Sequence, residues 1–110
     1  HEIYDPKEDR WRTAAPMPKG SGAGGNAAGV LGGMLYVFGG EYFDNGGRVH
    51  PEAWEYNPAS DAWGPVPPMP TPRHGLGAVV LDNMIWLVGG AKKPSGVDTS
   101  DAVEAFGLID

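Results

Sequence analysis

An all-β fold built from a repeated unit is predicted by three observations. Tyr4-Asp5-Pro6, Trp11 and Pro16-Met17-Pro18 return in the same order as Tyr56-Asn57-Pro58, Trp63 and Pro68-Met69-Pro70. Leu35-Tyr36-Val37-Phe38-Gly39-Gly40 returns as Ile85-Trp86-Leu87-Val88-Gly89-Gly90, and Glu55-Tyr56 returns once more as Glu104-Ala105-Phe106. Short apolar runs alternate with turn chemistry throughout, and no stretch shows a helical period. A fixed step of about 50 residues marks an array whose units bury their apolar faces only against neighbours.

The elements follow in order. Glu2 to Pro6 and Trp11 to Ala15 mix charge with aromatics and read as two outer strands. Ala27 to Leu31 and Leu35 to Phe38 are apolar runs joined by Gly32-Gly33, a tight-turn signal for a hairpin. Glu52 to Tyr56 and Ala62 to Val66 are again mixed and end near Pro, which suits strands toward a sheet edge. Asn57-Pro58-Ala59-Ser60-Asp61 supplies the turn between them. The hairpin then repeats as Gly77 to Leu81, Asp82-Asn83 and Met84 to Val88, with Asp and Asn at the positive-φ turn positions that Gly filled before. Ala102 to Phe106 closes the series at nine strands. The inner runs are apolar at consecutive positions, which predicts burial on both faces.

The double glycine after an apolar strand, the Tyr that follows, the Trp beyond it and the Pro-Met-Pro spacer resemble kelch repeats. That resemblance covers nearly the whole chain and implies blades of a β-propeller, each a four-stranded antiparallel sheet. The expected division is 1–18 as outer strands of one blade, 23–70 as a complete blade and 73–110 as most of a third. A ring takes roughly four to eight blades, so further blades are expected from a parent chain or from other copies. Trp11 and Trp63 are expected to fill the space between sheets.

Composition narrows the function. A net charge of −6 and a pI near 4.8 argue against a nucleic-acid surface, because the basic residues are scattered and only Lys92-Lys93 are adjacent. Cysteine is absent, which removes thiolate metal sites and cysteine nucleophiles. No apolar run approaches the length of a membrane span. The compartment is left open.

Candidate contacts lie in loops, where propellers carry function. Arg73 follows Pro70-Thr71-Pro72; the resemblance implies a channel-mouth contact for it, since in some kelch proteins arginines here hold acidic peptides. His74 stands beside it. Glu41, Tyr42, Phe43, Arg48 and His50 form a second, aromatic and charged loop that could serve as a recognition surface. Ala91 to Ser100 reads as an exposed flexible loop. No His-Glu-x-x-His, phosphate loop or Gly-x-Ser-x-Gly is present, so no catalytic residue, metal or cofactor is assigned. The expectation is a non-catalytic module that binds a protein, a peptide or a carbohydrate. The alternative is a fragment of a carbohydrate-active kelch enzyme, mutarotase-like or galactose-oxidase-like.

Overall fold

The structure, a computed structural model, describes residues 1–18 and 20–108; Lys19 lies outside it, as do Ile109 and Asp110, the last two residues of the expected 73–110 segment. Three antiparallel sheets follow one another along the chain. The first holds β1 (Glu2–Asp5) and β2 (Arg10–Thr13). The central sheet orders β3 (Ala27–Leu31), β4 (Met34–Phe38), β7 (Ala53–Asn57) and β8 (Ala62–Val66) side by side. The third holds β9 (Gly77–Leu81), β10 (Met84–Val88) and β11 (Val103–Gly107), with β10 in the middle. All nine expected strands are present. Two more, β5 (Glu41–Tyr42) and β6 (Arg48–Val49), pair within the segment read from sequence as a plain loop.

Local chemistry sets these elements. Gly32 and Gly33 both take positive φ, at 58° and 78°, and Asp82 and Asn83 take 53° and 59° in the equivalent hairpin. Two unlike sequences make one turn because each tolerates the left-handed region. The outer hairpins are matched too. Asn57 Oδ1 accepts the Ala59 amide at 2.9 Å, as Asp5 Oδ1 accepts the Lys7 amide at 2.9 Å. Tyr56 donates its hydroxyl to Asp61, as Tyr4 does to Asp9.

The core lies between the central and third sheets. Register places Phe38, Tyr36 and Leu31 on one face of the central sheet and Ile85, Leu87 and Phe106 on the facing side of the third. Ile85 is fully buried and sits over Gly29, where an added Cβ would come within 3.1 Å of it. Phe106 packs against Tyr36 at 4.9 Å and Phe38 at 5.4 Å between ring centroids. The Tyr36 hydroxyl donates to Glu55 at 2.9 Å, and burial, more than that bond, pushes its pKa up to about 12.

Burial on both faces holds only where a sheet has a neighbour on each side. Val79, Leu81, Val88 and Val103 are exposed on the far face of the third sheet, and Val30 is exposed on the central one. Trp11, expected between sheets, is 69% exposed and touches Tyr4 on a face nothing covers among the described residues. Trp63 does fill an interface: its ring packs on Tyr56 and His1, and its indole N–H donates to Ala15 O at 2.8 Å. The repeat gives both tryptophans the same place in a sheet, while a neighbouring segment decides which one is covered.

Asp61 ties the first segment to the central sheet by accepting the Ala15 amide at 2.9 Å. That amide, then the Tyr56 hydroxyl, holds the Asp61 carboxyl below its usual range near 3.8. A depressed carboxyl contributes to this docking fully above its unfolded pKa, and the contribution is lost as pH falls through the lowered folded value. The Trp63 indole N–H resonance is therefore expected to hold steady from neutral pH to about 4 and to move only below it. A midpoint well above that would show that Asp61 does not fix the segment.

Candidate functional site

At one end of the central and third sheets the chain builds the same loop twice. Gly39-Gly40 ends β4 and Gly89-Gly90 ends β10, all four at positive φ. A Cβ on Gly39 would lie 2.2 Å from the Arg73 carbonyl oxygen, and one on Gly90 2.5 Å from that of His74. The pairs are glycine because strand ends and the incoming linker share space that a side chain would need. After each pair the backbone exchanges two hydrogen bonds with the segment leading into the innermost strand. Glu41 pairs with Gly24, and Ala91 pairs with His74.

Each loop then makes a 3-10 turn, at Asp44–Gly46 and at Pro94–Gly96. Asn45 and Ser95 occupy the left-handed region at φ 53° and 63°. Each loop returns by a matched bond, His50 N–H to Gly40 O and Ser100 N–H to Gly90 O, both 2.8 Å. The segment from Ala91 to Ser100 is thus not a loose loop. Amides of Lys92 and Lys93 bond to Asp98 and Val97 carbonyls and fix it as a hairpin. Composition hid this because only backbone conformation, not residue type, is shared between the two copies.

Side chains bind the two loops to each other. Glu41 Oε2 accepts the Ser95 amide at 2.8 Å and lies 3.4 Å from His74 Nε2. His74, buried, also has Nε2 2.7 Å from the Lys93 carbonyl oxygen and 3.4 Å from the Gly96 amide nitrogen. Tyr42 and His50 stack at 4.5 Å between ring centroids. His50 further approaches Gly22 O at 3.4 Å and Glu52 at 3.5 Å. Phe43 is 63% exposed and Arg48 is exposed, so these two face solvent from the tip.

Arg73 behaves differently from expectation. Its side chain is fully buried, and all five guanidinium N–H groups are satisfied inside the protein. Nε donates to Thr71 O at 3.1 Å; Nη1 donates to Gly89 O and Ala102 O; Nη2 donates to Leu87 O and to Glu104 at 2.9 Å. Expected at a channel mouth, Arg73 instead clamps the end of the third sheet, because unpaired carbonyls at the end of β10 offer a planar fork of donors better partners than water does. His74 is likewise committed to its neighbours. The site therefore brings Glu41 with His74 and Tyr42 with His50 as supports, and leaves Phe43 and Arg48 exposed at the tip.

Lys92, Lys93 and Thr71 also face this end and were not singled out as contacts. The Lys92-Lys93 adjacency was their one sequence signal. Among the described residues, no group of three or more His, Asp or Glu is placed to hold a metal ion.

Comparison with known proteins agrees with this architecture. Residues 23–70 match the family described as Kelch motif. Kelch-like protein 23 of Pongo abelii is 36% identical over 89 residues, covering 81% of this chain and 16% of that protein. Kelch-like ECH-associated protein 1A of Danio rerio is 44% identical over 91 residues, covering 82% of this chain and 15% of that protein. The chain thus spans about a sixth of the length of these relatives. The solved structure of YjhT superposes with a TM-score of 0.71 at 24% identity, over 79% of this chain and 26% of that one. Repeat, blade topology and matched loops together place the chain in the kelch-repeat family, as one complete propeller blade flanked by parts of two others.

Proposed function

We propose that this chain is an interaction module of a kelch propeller that recognises a protein or peptide through loops 41–50 and 91–100, with no catalysis of its own. Residues 1–18, 23–70 and 73–110 are the corresponding pieces of three successive blades. The observation that carries this reading is the cross-loop latch. Glu41, Ser95 and His74 tie two equivalent loops side by side and leave Phe43 and Arg48 exposed at the tip. Rigid loops on a sheet scaffold suit recognition because little ordering entropy remains to be lost on binding. The acids and histidines that could serve proton transfer are occupied in holding the loops together, which supports binding over chemistry. One matched relative is named for an association, Kelch-like ECH-associated protein 1A.

Selection of a random displayed-peptide library on the full chain tests this. Enriched peptides are expected to lose binding roughly tenfold on Phe43→Ala, in line with the loss of an exposed aromatic anchor. Trp11→Ala, at an exposed aromatic on the first sheet, is expected to leave binding unchanged. Peptides indifferent to both loops, or weakened equally by Trp11→Ala, would count against the reading.

A further inference from the structure

The sequence holds four asparagines, and one of them, Asn45, is followed by glycine. Asn45 and Gly46 sit in the 3-10 turn at the tip of the first loop, and both are exposed. Nothing lies within 4 Å of where a Gly46 side chain would begin. The tip is lightly held. A bond from Gly47 N–H to Asp44 O at 3.1 Å closes the turn, and β5 and β6 beneath it contribute two residues each. The Glu41 latch ties the base of the loop rather than this tip.

Asparagine is thermolabile because its side-chain carbonyl can be attacked by the next residue's amide nitrogen, closing a five-membered ring. Here Gly46 N–H gives its proton to solvent base and its nitrogen bonds to Asn45 Cγ. The side-chain nitrogen leaves as ammonia, taking a proton from water. Water then opens the ring. Attack at the former side-chain carbonyl leaves an ordinary aspartate; attack at the main-chain carbonyl leaves an isoaspartyl link, with the chain running through the side chain. The sum is amide plus water to carboxylate plus ammonium, with no change of oxidation state.

Glycine admits this step because no Cβ on residue 46 meets the attacked amide. In the folded turn Asn45 has φ 53° and ψ 43°, which sets the Gly46 nitrogen away from the side chain, so the ring closes from an opened tip. A short exposed turn of this kind opens locally without unfolding the sheets. The other asparagines are worse placed. Asn57 precedes Pro58, whose nitrogen has no proton to lose, and its Oδ1 accepts the Ala59 amide. Asn26 and Asn83 precede Ala27 and Met84, which bear side chains and are paired in register as the first residues of β3 and β10.

We propose that Asn45-Gly46 is a deamidation site, with water as its co-reactant, that turns the neutral tip of the first loop acidic. The two products act differently. Asp9, Asp61 and Asp82 hold φ between 49° and 53°, so an aspartate at this position keeps the left-handed turn and adds a charge three residues from Arg48. An isoaspartyl link inserts a methylene into the main chain between β5 and β6 and disrupts the turn that presents Phe43. The effect on recognition rests on the reading of loops 41–50 and 91–100 as a contact surface; the deamidation itself does not.

The full chain, held in mildly alkaline buffer and sampled over days, is the material for the test. Tandem mass spectrometry with electron-transfer fragmentation reads both products residue by residue. Conversion of amide to acid is expected at Asn45, at least about tenfold slower at Asn26 and Asn83, and absent at Asn57. Asn45→Ser should remove most of the ammonia released, and Gly46→Ala should slow its release at least about tenfold. Circular dichroism checks the fold of each variant. Retention of the amide at Asn45, faster conversion at Asn26 or Asn83, or ammonia release unchanged by Asn45→Ser would overturn the site. The isoaspartyl form, isolated by chromatography, is expected to bind the library-selected peptides roughly tenfold more weakly, as Phe43→Ala does, while Asn45→Asp loses less. Equal binding by the isoaspartyl form would remove the effect on recognition and leave the deamidation site standing.

Discussion

Replacing Arg73 with alanine is expected to destabilise the chain by about 3–5 kcal/mol, the range for removing one partner of a buried ion pair. The loss has two sources. Carbonyls of Thr71, Leu87, Gly89 and Ala102 would each lose a donor at the end of the third sheet. The Glu104 carboxylate, largely shielded, would lose its 2.9 Å partner. Arg73→Lys is expected to recover little, because an ammonium offers three donors from one point where five are needed from a planar fork. Glu104→Gln is the milder companion, since an amide oxygen still accepts from Nη2. Urea unfolding followed by circular dichroism measures all three. A loss below about 1 kcal/mol for Arg73→Ala would show that the clamp is not what holds the sheet end.

The second large effect is expected at Gly39. Gly39→Ala combines a positive φ of 64° with a Cβ that would lie 2.2 Å from the Arg73 carbonyl oxygen. That carbonyl is also the acceptor of the Gly40 amide at 3.0 Å, so it cannot retreat without breaking the bond that seats the linker. A cost of about 3 kcal/mol or more is expected, above the 1–3 kcal/mol typical of backbone strain alone. Gly33→Ala isolates the steric part. Gly33 also has positive φ, at 78°, but open space where its Cβ would go, so its cost should stay at about 1–2 kcal/mol. Equal losses at the two positions in urea melts would refute the clash.

The double glycines were legible in the sequence as close-approach sites because they recur after matching strands. A residue with no side chain, kept at a fixed place in a repeat, marks a point where another backbone must come near. Arg73 was legible as a special residue, but its direction was not. A guanidinium beside a strand start can turn outward to a ligand or inward to carbonyls, and only the position of the β10 and β11 ends chooses between them. Lys92 and Lys93 show the converse, since two adjacent cations in a segment of Pro, Ser and Gly give no sign that Arg48, distant in sequence, stands across a groove from them.

What the sequence determined by itself is the repeating unit: the strands, their hairpin turns, the Tyr and Trp of the outer pair and the glycine exits. Each depends on local conformational preference and on the spacing of apolar residues, both of which are written along the chain. The tertiary structure decided which faces are covered, that Arg73 is a clamp, and that two loops of unlike composition share one backbone. Those outcomes depend on which carbonyls, rings and charges arrive from a neighbouring sheet, and the energy of such meetings belongs to pairs of residues far apart in the chain rather than to either residue alone.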